Sequence, residues 1–247
     1  MRRELFLHTL NDVKAYDDYF IQKRDATGCL GLSSIQKMTI AIRILAYGYA
    51  ADHCDEYIKI SESTAIKTLM TFCKAVTSVY GEEYMRPPNE ADIVRLLQEA
   101  EERGFSGMLC SIDYTHLEWN NYPVAWHGMH KGHSHTPTLI LEVVASKDLW
   151  IWHAFFGISG SHNDINVLDH SLEFNSIITS QILPVNFVVN GHYHRMGYYL
   201  FDGIYPKWVT LMQTIPYPTI AKEKLFAQRQ ETCRKDMERA FRVLQSK

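Results

Sequence analysis

Three acidic residues lie where the sequence pattern predicts the end or the edge of a regular element. Asp113 lies in the apolar segment MLCSIDYTH, Asp202 follows the aromatic-rich segment GYYLF, and Glu238 lies in the helical segment KDMERAFRVLQ. A buried carboxylate without a partner is unfavourable, and two acids at the ends of neighbouring strands repel each other. A divalent cation removes that repulsion, and carboxylate oxygens are the ligands that Mg²⁺ and Mn²⁺ prefer. The three acids therefore form a candidate site for divalent cations.

Each acid also has a simpler interpretation. Asp113 at a strand end can cap a turn, and Glu238 can be a surface acid paired at four-residue spacing with Arg234 or Arg242. Glu238 adjoins an apolar stripe on the last helix, formed by Met237, Ala240, Phe241 and Leu244. That position allows its side chain to approach the edge of a sheet.

Basic residues concentrate at the end of the chain. Residues 220–247 carry eight Lys or Arg against four acids, a net charge of 8 − 4 = +4 in a chain whose net charge is −3. This segment is the best candidate for contacts with nucleic-acid phosphates, although a solvated helix face explains the same pattern. The candidate phosphate contacts are Lys67, Lys74, Lys131, Lys207, Arg234, Lys235, Arg239 and Arg242.

Four histidines cluster in the segment AWHGMHKGHSHTP, at positions 127, 130, 133 and 135. Their spacing matches no zinc motif and no cysteine accompanies them, so a polar loop is the better interpretation. The five cysteines form no CxxC pair, which is typical of reduced thiols. No secretory signal or membrane-spanning run is visible, so we expect a soluble intracellular protein without a membrane partner.

Residues 1–104 are predicted to form an all-helical region. Ser33 and Gln36 predict a capping box, followed by Ile35, Met38, Ile42 and Leu45 at helical spacing. Ser61 or Ser63 begins a second helix, with a stripe of Ala65, Leu69, Phe72 and Val76, that stops near Gly81. The segment AADHCDEYIKI between them can form a short helix. This order is compatible with a helix-turn-helix unit that carries Lys67 and Lys74 towards DNA, or with an ordinary helical bundle.

Residues 105–247 are predicted to form an α/β domain. Asn89 caps a preceding amphipathic helix, and three segments rich in β-branched and aromatic residues follow, with turns at 146–148 and at Asn190–Gly191. A helix over about 161–180 and a long helix over about 219–247 complete the order. Three strands, a helix, a further strand and a helix indicate an α/β fold.

Four long segments carry a resemblance to a known family. The segments GMLCSIDYTHLEWNNYP, LILEVVASKDLWIWHAFFGISGSHNDINVLD, VNFVVNGHYHRMGYYLFDGIYPKW and LFAQRQETCRKDMERAFRVLQ are similar to the plant branch of PIF/Harbinger transposases and their derived nucleases. The resemblance implies an RNase H-like mixed sheet flanked by helices, with a DDE acid triad. Its first acid corresponds to Asp113 and its last to Glu238.

The second acid has two candidates, Asp164 in GSHNDINVLD and Asp202 in LFDGIYP. In an RNase H-like order the second acid follows the fourth strand, which favours Asp202 and a gap of 238 − 202 − 1 = 35 residues before Glu238. Asp164 remains a lower-ranked metal ligand. The chain ends nine residues after Glu238, earlier than family members do, and this predicts weaker support for that acid.

The resemblance implies cleavage of double-stranded DNA with two Mg²⁺ or Mn²⁺ ions, and strand transfer at terminal inverted repeats. It also implies a nuclear location reached through a Myb-like DNA-binding partner, with the cytoplasm as the alternative, and is compatible with a homo-oligomer. Two other functions fit the same residues. One is a catalytically inactive, transposon-derived module for DNA or protein binding, and the other is an RNase H-like exonuclease.

Overall fold

The computed structural model describes residues 1–48, 50–53, 58–119, 122–126, 136–160, 185–201 and 210–245. The chain forms two compact units, Met1–Arg86 and Pro87–Lys247. Within the described residues there are five α-helices and a mixed sheet of five strands, so the α/β class is confirmed.

The first unit contains three helices, α1 (Arg3–Tyr16), α2 (Ser34–Tyr47) and α3 (Glu62–Tyr84), and a 3₁₀ turn at Asp18–Phe20. The predicted capping box is confirmed, because the Ser33 side chain accepts a hydrogen bond from Gln36 N–H and the Gln36 side chain accepts one from Ser33 N–H. Helix α2 ends at Gly48, whose φ of 62° is left-handed. A capping side chain at its start and a left-handed glycine at its end thus fix where α2 begins and stops.

The helices of this unit enclose one core of Leu10, Val13, Phe20, Met38, Ala41, Phe72 and Ala75. The predicted stripe on α3 is confirmed, with Ala65 and Phe72 buried and Leu69 and Val76 partly buried. The predicted stripe on α2 is wrong at its ends, since Ile35 and Leu45 are exposed. The buried face of α2 instead consists of Met38, Ile40 and Ala41.

Helix α3 does not stop near Gly81, because it continues to Tyr84. Glycine weakens a helix by about 1 kcal/mol relative to alanine, which packing along a 23-residue helix overcomes. The short helix predicted between α2 and α3 falls partly on residues 54–57, outside the described residues. The helix-turn-helix interpretation stays a prediction.

The second unit begins with α4 (Glu90–Glu102), where Asn89 and Asp92 form the predicted N-terminal cap. The strands of its main sheet are β1 (Met108–Glu118), β2 (Thr138–Ala145), β3 (Ile151–Ser159), β6 (Tyr198–Phe201) and β7 (Leu211–Gln213). A separate hairpin consists of β4 (Phe187–Val189) and β5 (His192–His194). Helix α5 (Ala221–Gln245) ends the described chain.

The strand order of the main sheet is β3-β2-β1-β6-β7, with β1 at the centre. Strands β1, β2 and β3 are antiparallel neighbours, whereas β6 and β7 run parallel to β1. Both predicted turns are confirmed. Ser146 N–H donates to Trp150 carbonyl across the β2–β3 turn, and Asn190 and Gly191 have positive φ values of 51° and 79° between β4 and β5.

Helices α4 and α5 cover opposite faces of this sheet. Ile93 and Leu96 of α4 pack on Ile112 and Val144, whereas Met237, Ala240 and Phe241 of α5 pack on Leu141 and Val143. Alternate residues of a strand point to opposite faces, so Val143 and Val144 face different helices. Leu244 is 47% exposed, so the predicted apolar stripe of α5 ends at Phe241. The helix predicted over about 161–180 lies outside the described residues.

Candidate active site

Asp113 lies on the central strand at the point where that strand leaves the core. Residues 108–112 of β1 are buried, Asp113 is half-buried, and His116 and Glu118 are exposed. Asp113 Oδ1 accepts a hydrogen bond of 2.9 Å from the N–H of Tyr114. The carboxylate is therefore held beside the sheet and near solvent, where a hydrated ion can approach it.

The face on which Asp113 lies is set by strand pairing. Asp113 is opposite Val143 of β2, and directly paired residues share a face of the sheet. Val143 packs against Met237, Ala240 and Phe241 of α5. Asp113 consequently lies on the face that α5 covers.

Glu238 directly follows the buried Met237 on that same helix. Its side chain is 49% exposed, and its Oε2 lies 3.8 Å from Nη2 of Arg242 at four-residue spacing. The helical ion pair considered as the simpler interpretation is therefore present. Such exposed pairs contribute only about 0.5 kcal/mol, which leaves Glu238 able to exchange Arg242 for another cation.

Two of the predicted metal ligands, Asp202 and Asp164, lie outside the described residues. The same holds for Lys131, Lys207 and the histidine cluster at 127–135. In the described part of the chain, no three His, Cys, Asp or Glu side chains come together as a metal-binding group. The triad as a whole stays a prediction.

The side chain of Gln230, on α5, is hydrogen-bonded to backbone carbonyls of two parallel strands, β6 and β7. The side chain is fully buried, and its Nε2 donates to the carbonyl oxygens of Phe201, at 3.4 Å, and Met212, at 3.1 Å. Phe201 is the last residue of β6 and immediately precedes Asp202. Sequence reasoning missed this role, although Gln230 lies seven residues before Met237 and so shares its helix face.

Glu142 is a second residue that sequence reasoning missed. It lies on β2, opposite Tyr114 on β1 and Phe155 on β3, and is 2% exposed. Burial raises the pKa of this carboxyl to about 7. Glu142 is the neighbour of Val143 and so lies on the face away from α5 and Asp113. A lone acid inside the apolar segment TLILEVVA was the signal that could have revealed it.

Arg103 anchors the end of α4 to α5. Its Nη1 lies 2.6 Å from Asp236 Oδ2, and the two side chains are 20% and 13% exposed. Asp236 also contacts Arg239, at 3.2 Å. Asp236 therefore serves as a structural anion in α5, two residues before Glu238.

The described basic candidates differ in exposure. Lys67, Lys74 and Lys235 are exposed, and Arg239 and Arg242 are 61% and 79% exposed beside Asp236 and Glu238. Arg234 is only 16% exposed and lies 3.6 Å from Glu231. Phosphate binding by these residues stays a prediction, with Arg234 the least accessible.

The fold and these contacts define a mixed α/β protein with an aspartate on its central strand, on the face covered by its last helix. Residues 82–247 match the family model described as "Plant transposon protein". This match covers more than half of the chain, and the chain therefore belongs to the plant transposon protein family.

Comparisons with curated proteins and with solved structures gave no match. Over the described residues, no helix combines the length and apolar character needed to cross a membrane.

Proposed function

We propose that this chain is a divalent-metal-dependent DNA nuclease of the transposase type, related to the PIF/Harbinger group. Asp113, Asp202 and Glu238 hold two Mg²⁺ or Mn²⁺ ions in this proposal. The observation that carries it is the parallel pairing of β1 with β6, because the two strands lead to Asp113 and Asp202 respectively.

The register of that pair supports Asp202 as the second acid. Ser111 is opposite Leu200. Asp113 and Asp202 each follow their member of this pair by two residues. Continuation of the register, which is part of the proposal, would bring the two acids onto neighbouring strands, and neighbouring strands of a sheet lie about 4.8 Å apart. Two carboxylates at that spacing repel unless a cation lies between them.

The sheet order supports an RNase H-like fold. Such a sheet has three antiparallel strands and two further strands parallel to the first, with the first strand at the centre. The described strands follow this order, and a long helix comes last. Asp164, which precedes β6, remains the alternative second acid.

Carboxylates are hard oxygen ligands that suit Mg²⁺ and Mn²⁺, so the three acids fit these ions. When bound, two such ions activate a water molecule and stabilise the departing 3′ oxygen of the phosphodiester. Asp113, on the central strand, would be a ligand of the ions. Glu238 would complete the ligand set in place of its pairing with Arg242. Gln230 fixes the carbonyl of Phe201 and thereby the start of the segment that carries Asp202.

The wider biological role follows from the same proposal. The substrate is double-stranded DNA, with terminal inverted repeats as the preferred ends and strand transfer as a second reaction of the same site. Delivery to the nucleus by a Myb-like partner and assembly as a homo-oligomer belong to the proposal as well. Lys67, Lys74, Lys235, Arg239 and Arg242 are the described candidates for phosphate contacts.

The test is nicking of supercoiled plasmid by the 247-residue chain in Mg²⁺ or Mn²⁺. We expect cleavage by the wild type, and loss to background in Asp113→Asn, Asp202→Asn and Glu238→Gln. Glu118→Gln is the matched control, because Glu118 is an exposed acid on the same strand as Asp113. Each variant must keep the wild-type melting temperature.

Three results contradict the proposal. Cleavage that survives Asp113→Asn excludes Asp113 as a ligand. Normal DNA binding without metal-dependent nicking by the wild type favours the inactive transposon-derived module. Cleavage only from DNA ends, without preference for inverted repeats, instead indicates an exonuclease.

A further inference from the structure

An open groove lies beside the edge of the main sheet. Its walls are the β4–β5 hairpin, strand β7 with residues 214–216, the start of α5 and residues 104–106. The volume is about 1400 Å³. Small-molecule pockets are usually about 300–1,000 Å³, so this groove is large enough for a segment of a macromolecule.

Aromatic rings form much of the groove surface. Phe187 stacks on His194, with ring centroids 5.0 Å apart and an angle of 16° between the planes. Phe105 and Phe226 meet edge to face at 5.9 Å. Tyr193, on β5, is 85% exposed at the rim. Of these rings, Tyr193 offers an exposed flat surface on which a planar ligand can stack.

The charge of the groove selects the class of ligand. Among its described lining residues, Arg195 is cationic and none carries a carboxylate. Stacking rings beside guanidinium groups suit unpaired bases with their phosphates. A positively charged peptide finds no acidic partner among these residues.

We propose that this groove binds a single-stranded segment of nucleic acid. A base of the strand stacks on Tyr193, and a phosphate beside it contacts Arg195. One end of the groove, at Gln213–Pro216, follows the carboxyl end of β7, the strand beside β6. The assignment of the strand as DNA released near the cut rests on the proposed nuclease function, whereas strand binding itself is independent of cleavage.

The test is fluorescence anisotropy of a short fluorescein-labelled oligo(dT) with the 247-residue chain in EDTA, where no metal-dependent cleavage occurs. We expect Tyr193→Ala to raise Kd about 5- to 150-fold, the range reported for loss of one stacked base. Tyr193→Phe keeps the ring and should bind like the wild type. Arg195→Ala should reduce the slope of log K against log salt concentration by about 0.7, the contribution of one phosphate contact.

Two exposed residues outside the groove supply matched controls. Tyr16→Ala and Arg3→Ala remove the same side-chain types from the first unit and should leave Kd unchanged. Equal Kd values for the wild type, Tyr193→Ala and Arg195→Ala overturn the proposal, as does a wild type that does not bind oligo(dT) at low salt. A dimer that Tyr193→Ala dissociates, with oligo(dT) binding unaffected, also overturns it and makes the groove an interface between copies.

The nuclease proposal and the groove proposal can each be contradicted without the other. Tyr193-dependent binding in EDTA together with no nicking in Mn²⁺ retains the strand-binding groove and contradicts the nuclease. Nicking that depends on Asp113, together with unchanged binding in Tyr193→Ala, contradicts the groove alone.

Discussion

Two carboxylates on adjacent strands have opposite environments because of strand alternation. Asp113 is half-buried on the α5 face, whereas Glu142 is 2% exposed on the other face. The pairing of Asp113 with Val143, and of Tyr114 with Glu142, assigns them to these faces. A shift of one residue in the register between β1 and β2 would place both acids on the same face. The candidate active site therefore depends on a single pairing register.

The buried position of Glu142 predicts a pH-dependent stability. Burial raises its folded-state pKa from 4.5 to about 7. The folded protein thus favours the protonated carboxyl. The contribution of this group to the free energy of unfolding is complete below about pH 4.5 and is lost as the pH rises through about 7. The shift corresponds to about 3 kcal/mol. Glu142→Gln, which stays neutral, should become more stable than the wild type by about that amount between about pH 5 and about pH 8.

Urea unfolding of the wild type and Glu142→Gln at both pH values measures this difference. Glu118→Gln is the control, because Glu118 is an exposed strand acid and should show no such change. A difference between wild type and Glu142→Gln that does not vary with pH would show that burial does not raise this pKa.

At the residue scale, sequence reasoning identified Asp113 from an acid in an apolar strand, and the structure describes it on the central strand. Glu142 shows the same pattern, but the family resemblance assigns no role to this acid, so its burial was not predicted. The role of Gln230 could not be predicted at all. It depends on the carbonyls of Phe201 and Met212, which lie 29 and 18 residues away in sequence.

At the element scale, Gln230 connects α5 to the ends of β6 and β7. Replacement by leucine removes both donated hydrogen bonds and leaves two strand-end carbonyls with fewer partners. We expect Gln230→Leu to lower the free energy of unfolding by about 1–3 kcal/mol. Gln228→Leu, an exposed position on the same helix, should change it little. Equal free energies of unfolding for the two variants in urea would show that these hydrogen bonds of Gln230 do not contribute to stability.

Helix α3 offers a second element-scale prediction. Gly81 lies inside the helix, and a Cβ there meets no atom within 4 Å. Gly81→Ala should therefore stabilise the first unit by about 0.5–1 kcal/mol through the reduced entropy of the unfolded chain. Gly48→Ala is the opposite case, since Gly48 has a φ of 62° and alanine is strained there by about 1 kcal/mol or more. The melting temperature should rise in Gly81→Ala and fall in Gly48→Ala. A change in the same direction in both variants would contradict this interpretation of α3.

Elements set by local chemistry were predictable from sequence. The caps at Ser33 and Asn89 and the turns at 146–148 and Asn190–Gly191 are present as predicted. The predicted end of α3 near Gly81 was wrong, because packing along the helix outweighs the local preference of glycine. The pairing of β1 with β6 joins residues about 90 apart in sequence, and no local pattern specifies it.

At the scale of the whole molecule, a net charge of −3 gives no general attraction for DNA, so binding has to come from local surfaces. The last helix, the groove beside β7 and the lysines of α3 are the proposed surfaces. Family membership indicates a transposon origin, and the sheet order is consistent with the nuclease function proposed from it. The central prediction is that Asp113, Asp202 and Glu238 meet at the middle of the sheet and bind metal ions there.

A crystal of the 247-residue chain soaked in Mn²⁺ tests that claim most directly. Anomalous difference maps should show two Mn²⁺ ions, both within ligand distance of Asp113, with Asp202 and Glu238 completing their ligands. An ion bound by Asp113 and Asp164 would show that Asp164, and not Asp202, is the second acid. Wild-type crystals with no Mn²⁺ at Asp113 would contradict the account.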